Sequence, residues 1–525
     1  MHFDEIIHTV GGFGKFQKLL YVWISLPQIF LAFHMLVSIF TGAVPPHRCR
    51  GSGSSAGSPG SLNFSLLTSG ELSCPVHSNQ SDAGAFPEGQ PNVSCKGGWE
   101  YSTETFQSTI VTEWDLVCDM ASLNHVGSSI YMFGLLVGAL LFGILADKYG
   151  RRNIILISLA IQAVFGVGAA FAPNFYIYTA LRFMVGTSIS GVIMNAFVLG
   201  TEWTGSKQRM LAGIVTDYSF GVGYILLAGV AYLIRDWRKL QLAISAPGFF
   251  FIFYILVLPK SARWLMINNR NEEAWDLIRK AAQMNGKNFT QDLEMCQVYK
   301  AEDKSEIQTK YSILDLVRTP RMRQQSLIVF YLWFVNILVY YGLSLNISDL
   351  GMNIYLTQMI FGLVEMPART ITLFTLNRSR KFSQLAFLLV GGSACLLSIF
   401  VPNDLSVLRT TLAMVGKFGI TASLSIIYVY SAEVFPTVIR QNGIGMGSMC
   451  ARLGGVLAPM MHFLRLLSPQ APMILCGLLP LLGAALTLLL PETANKPLPD
   501  SIQDIEGHKL RFKSLSLCSA CQQQA

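Results

Sequence analysis

Apolar runs long enough to cross the roughly 30 Å hydrocarbon core of a bilayer recur twelve times in this chain. They lie at 19–42, 125–145, 153–171, 176–198, 212–233, 239–258, 326–345, 352–376, 384–401, 407–430, 440–463 and 470–490. In hydrocarbon every backbone N–H and C=O must be satisfied within the chain, which runs of this length achieve as helices. Only 13% of the 525 residues are charged, against about 25% in soluble proteins. The fold expected is an all-α membrane protein with twelve transmembrane helices. The lead MHFDEIIHTVGGFGKFQK precedes the first run and no small-residue cleavage site follows its apolar core, so this run reads as a retained helix rather than a signal peptide.

Lys and Arg concentrate in loops on the cytosolic side of a membrane. Lys148, Arg151 and Arg152 follow the second run, Lys207 and Arg209 the fourth, and Arg378, Arg380 and Lys381 the eighth, while the 259–325 stretch holds a dozen more. Both termini are therefore expected in the cytosol, and the net charge of +8 reports topology rather than nucleic-acid binding. Arg235, Arg238 and Lys239 break the pattern, because they fall between the fifth and sixth runs on the outer side.

The outer insertion 43–124 is rich in Gly, Ser and Pro and carries N-x-S sequons at Asn63, Asn79 and Asn92. Its four cysteines, Cys49, Cys74, Cys95 and Cys118, suggest two disulfides of unassigned connectivity in an oxidising compartment.

An internal repeat is legible by subtraction. EWTGSKQR places Glu202 and Arg209 after the fourth run, and EVFPTVIR places Glu433 and Arg440 after the tenth, both 231 positions later. A shift two positions shorter carries GRR at 150–152 onto the start of SRKF at 379–382. The expected organisation is a cytosolic lead (1–18), a six-helix half (19–258, with the loop 43–124), a cytosolic linker (259–325), a second six-helix half (326–490) and a cytosolic tail (491–525). Asp147, Arg151 and Arg152, with Glu202, Arg209, Glu433 and Arg440, form acid–base motifs suited to latch the two halves together on the inner side; simple topology signalling is the alternative.

Arg452 lies 12 residues beyond Arg440, or about 18 Å along a helix, and so near the middle of the membrane. A charge there must face protein or water. Its planar, always-charged fork suits a carboxylate or another planar anion; an internal ion pair is the competing role. Gly443, Gly445, Gly447, Gly454 and Gly455 make its helix slim. Glu365 and Asp217 are acids available within the runs, and Glu365 precedes Arg369 by one helical turn, with Pro367 between them. Arg369 therefore reads both as a substrate contact and as a partner of Glu365. Lys417 and Arg182, in the outer parts of their runs, read as snorkelling side chains.

Other chemistries lack their spacing. GTEWTGSK has no lysine directly after its second glycine, GSSAG sits in a Gly/Ser-rich loop, and Cys518 with Cys521 is a lone pair on the tail. No metal pattern or catalytic cluster suggests an enzyme.

GILADKYGRR, LRFMVG, GTEWTG, PKSARWL, YYGLSL, AEVFPTVIRQNGIGMGS and LLPETANKPLPDSIQD resemble the organic ion transporters of the major facilitator superfamily, nearly end to end. Within it the chain is similar to organic anion transporters, with features of both the liver-type and the nicotinate and urate branches. The resemblance implies a plasma-membrane secondary carrier of small organic anions working by alternating access, a monomer among membrane lipid, with counter-anions and no cofactor or metal. It places arginine at Arg452, where cation carriers have aspartate, and a basic residue at Arg369. It further implies a cavity lined by Tyr218, Tyr340, Tyr341, Tyr428 and His34, His34 being alternatively a core histidine. An organic cation or zwitterion carrier, with Glu365 or Asp217 binding substrate, is the rival, and a multi-span receptor the reading from another class.

Overall fold

The computed structural model describes residues 3–49, 98–205, 208–287, 313–345, 352–402, 404–466, 468–494, 496, 499 and 501–506. Every expected run falls on a helix: α1 (Lys15–Leu36), α2 (Ala121–Tyr149), α3 (Arg151–Ala170), α4 (Phe175–Glu202), α5 (Arg209–Leu233), α6 (Trp237–Ser245, extended by a 3-10 segment and Tyr254–Val257), α7 (Pro320–Leu345), α8 (Ile354–Leu376), α9 (Arg380–Leu397), α10 (Ser406–Val434), α11 (Arg440–Leu457) and α12 (Ala471–Thr487). Among the described residues nine helices are both long and apolar enough to cross a membrane. Of the others, α12 is short at 17 residues, and α11 is diluted by Arg440, Gln441, Asn442 and Arg452.

Within each half the helices pack in matching pairs, α1 on α5 and α2 on α4, then α7 on α11 and α8 on α10. Close approach requires small residues. A Cβ on Gly138 would lie 2.1 Å from the Thr187 carbonyl oxygen, and one on Gly454 would lie 2.5 Å from that of Phe334. The glycines of α11 thus serve mainly helix packing: Gly443 abuts Phe435 and Gly447 abuts Trp333. The halves meet where α2 packs on α11 and α5 on α8.

One small departure from an all-helical chain lies outside, where His47–Cys49 pairs antiparallel with Trp99–Tyr101. Cys118 is disulfide-bonded; Cys74, Cys95, the Cys49 side chain and the three sequons lie outside the described residues. The outer segment explains the misplaced basic charges. Arg238 pairs with Glu113 at 2.5 Å and donates to the Ala170 and Ala172 carbonyls at 2.7 and 2.8 Å, satisfying the C-terminal end of α3. Arg235 donates to the Glu104 carbonyl at 3.2 Å. These arginines are fixed by local bonds, which outweigh the topology rule.

On the inner side, Trp264 of the linker donates to the Asp147 carbonyl at 2.8 Å, and Asn285 accepts from Phe16 N at 2.9 Å, so the described start of the linker rests on the first half. The tail rests on the second: Glu506 accepts from Arg321 N and Met322 N at 2.8 and 3.1 Å, capping the N-terminus of α7.

Candidate functional site

Glu365 and Lys417 each sit eleven residues beyond the outer start of their helices, Ile354 and Ser406, and therefore at one depth. Both are fully buried, with Lys417 Nζ 3.4 Å from Glu365 Oε1. Arg369 Nη2 lies 3.4 Å from Glu365 Oε2, and Arg369 Nη1 lies 2.5 Å from Asp217 Oδ2 on α5. Tyr340 donates its hydroxyl to Glu365 and lays its ring 3.1 Å from Lys417 Nζ; Ser344 Oγ is 2.5 Å from that ammonium. Two acids and two bases thus form a closed set, and the Arg369–Asp217 pair ties the two halves together. Lys417 does not snorkel, because a buried carboxylate at its own depth offers a stronger partner than the distant interface.

Arg452 lies apart from this set. Its guanidinium donates to the Ser448 carbonyl at 3.1 Å and to the Ser448 hydroxyl, and reaches Ser190 Oγ of α4 at 3.4 Å. Among the described residues no carboxylate lies within ion-pairing distance of it. Since Arg369 and Lys417 occupy Glu365 and Asp217, the expected alternative of an internal ion pair for Arg452 is not made in this structure.

The aromatic positions divide. Tyr428 is 51% exposed and stands edge-on to Trp333 at 4.3 Å. Tyr218 donates to Thr370 across the halves at 2.5 Å. Tyr340 and Tyr341 are buried, edge to face at 5.2 Å, with Tyr340 occupied by Glu365. His34 is 1% exposed, and its ring meets Gly166 of α3: it packs within the first half. Sequence reasoning read Lys417 as snorkelling and passed over Ser190, Ser448 and Trp333. The equal depths of Lys417 and Glu365 were a usable signal; the serines had none, being common on membrane helices.

The inner motifs pair within their own halves. Arg151 bonds Asp147 at 2.7 Å and approaches Glu202 at 3.7 Å, while Arg152 donates to the Ile255 carbonyl. In the second half Arg380 pairs with Glu433 at 3.1 Å, Thr493 donates to Glu433 at 2.6 Å, and Arg440 donates to the Phe435 carbonyl at 3.2 Å. The Arg209 side chain lies outside the described residues. These described pairs do not latch one half to the other as expected, since both partners of each belong to one half. Besides the Arg369–Asp217 and Tyr218–Thr370 contacts, the halves are joined at the other end: Tyr355 of α8 stacks on Phe40 at 5.4 Å and donates to the Thr105 carbonyl at 3.1 Å, and His125 stacks on His462 at 3.9 Å.

Two helical halves sealed at one end around buried charges define a membrane carrier of the major facilitator fold. Residues 77–502 match the family described as Sugar (and other) transporter. The chain is 40% identical to "Organic cation transporter protein" of Drosophila melanogaster, over 97% of this chain and 95% of that one. It is 38% identical to "Solute carrier family 22 member 6" of Bos taurus, with the same coverage, and 37% identical to "Organic anion transporter 3" of Oryctolagus cuniculus, over 98% and 95%. Among solved structures, the partially occluded inward-open xylose transporter XylE of E. coli aligns with a TM-score of 0.61 at 15% identity, over 92% of this chain and 100% of that one, a likeness of fold. The chain belongs to solute carrier family 22 within the major facilitator superfamily.

Proposed function

We propose that this protein carries small organic anions across the plasma membrane by alternating access, with Arg452 as the charge that meets the substrate. One observation carries the reading: both central acids are engaged by Arg369 and Lys417, whereas Arg452 has hydroxyl partners and no carboxylate among the described residues. A cation carrier needs an acid free to bind its ligand; here the residual charge is positive. Tyr428 with Trp333 forms an aromatic wall suited to a ring-bearing anion, Tyr218 and Tyr341 flank it, and Arg369, once separated from Asp217, is a second positive charge. Asp147, Arg151, Arg152 and Glu202, with Arg209, Glu433 and Arg440, hold the inner helix ends of each half as it moves. Exchange against an internal counter-anion is the driving mode.

The cation reading has one relative's name behind it, and uptake decides between the two. Cells expressing the protein should accumulate labelled nicotinate, urate, orotate or dicarboxylates and not tetraethylammonium, with trans-stimulation by internal anion. Arg452→Asp at equal surface abundance should abolish anion uptake. Cation uptake by the unaltered protein, insensitive to Arg452→Asp, would overturn the proposal.

A further inference from the structure

Arg182 of α4 is a buried arginine with no acid within ion-pairing distance among the described residues. It is 3% exposed, donates through Nη2 to the His34 carbonyl at 2.9 Å, and lays its guanidinium over the Tyr131 ring at 4.3 Å. Its Nη1 has no hydrogen-bond partner in the protein, and neither does the Tyr131 hydroxyl. Both residues line one cavity at the outer end of the first half, with Asn124, Ser128 and Tyr178 and no acid among the lining residues. Arg452, Arg369 and Tyr428 do not line it. Its free volume of about 20 Å³ is room for one water-sized body, far too small for an organic carboxylate.

A buried guanidinium with an unsatisfied N–H and no counter-charge is costly. Water can satisfy the hydrogen bond but leaves the charge, whereas a small anion satisfies both. We infer that this cavity is a halide site, in which a chloride ion bound by Arg182 and the Tyr131 hydroxyl neutralises the arginine and steadies α2, α4 and the His34 end of α1. It is a structural anion site separate from the substrate cavity and does not depend on which substrate the carrier takes.

Purified protein is unfolded thermally in sodium chloride or sodium gluconate at matched ionic strength. Chloride and bromide should raise the midpoint saturably by about 2 °C, and gluconate, which cannot enter, should not. Arg182→Met should remove the halide response while Arg452→Gln retains it. Should Arg182→Met fail to fold, Tyr131→Phe decides: it should raise the chloride concentration needed for half the effect about fivefold, one hydrogen bond to a charge, and an unchanged value overturns the site. Equal midpoints in chloride and gluconate overturn it in favour of water alone. A halide response lost in Arg452→Gln and kept without Arg182 would place the ion in the substrate cavity and overturn it as well.

Discussion

The charges around Glu365 and the charge at Arg452 both lie in the membrane interior, and they are built on opposite rules. Around Glu365 every charge has a partner: Lys417, Arg369, Asp217 and Tyr340 close on one another across α5, α7, α8 and α10. Around Arg452, on α11, the partners among the described residues are serine oxygens. A closed set resists change and holds helices in register, while a cation held by weak neutral partners can exchange them for a ligand. Burial alone does not mark a binding residue; what distinguishes the two regions is whether the charge is already answered.

The comparison breaks first at Arg452. Arg452→Asp should lower anion uptake by about 100-fold or more, because a like charge then meets the substrate; surface biotinylation beside uptake separates this from lost expression. Arg452→Lys keeps the charge without the fork and should retain part of the activity, losing most for bidentate carboxylates.

The paired region should fail differently. Glu365→Gln leaves Lys417 buried without an acid and should destabilise the protein by about 3–5 kcal/mol, seen as lost surface abundance and a lower unfolding temperature. Glu365→Gln with Lys417→Met should recover much of that loss. If the double variant is as poor as the single, the two are not a mutually compensating pair.

Smaller effects are expected at the inner face. Asp147→Asn loosens Arg151 and should slow turnover about twofold to fivefold, as for an exposed ion pair, without altering ligand preference. Normal turnover would leave Asp147 and Arg151 a topological role alone. The smallest effect concerns pH. Burial opposes ionisation of Glu492, but hydrogen bonds from the Ser379 hydroxyl and from the N–H groups of Ala494, Arg380 and Lys381 hold its carboxyl below the ordinary value of 4.5. A depressed folded value means its stabilisation is complete above that pH and is lost as the pH falls through the lowered value. Glu492→Gln should therefore flatten the acid side of the stability profile slightly, read as unfolding temperature from pH 3 to 7.

The helices were legible because a membrane imposes length and apolarity on each one separately, so all twelve runs could be read without knowing their neighbours. Pairing could not be read this way. Arg369 was open between two roles because sequence shows one acid a turn away, Glu365, while Asp217 arrives from α5, 152 positions earlier. Lys417 was misplaced because snorkelling is the rule for a lysine with no known partner, and its partner lies on another helix. Of the inner motifs, Arg151 meets Asp147 and Glu202, whereas Arg152 and Arg440 bond carbonyls and Glu433 meets Arg380; which partner each finds depends on helix packing. His34 followed the same logic: its residue type suits either cavity or core, and only α3 shows which side it faces.

The contact of Tyr355 with the Thr105 carbonyl has a mechanical consequence. Tyr355 holds the end of α8 to the 43–124 insertion, so a movement that parts the two halves at this end should break that hydrogen bond. An antibody fragment that immobilises the segment around Thr105 and Phe106 would act as a brake on the transport cycle from outside the cell, without entering the cavity or resembling any substrate.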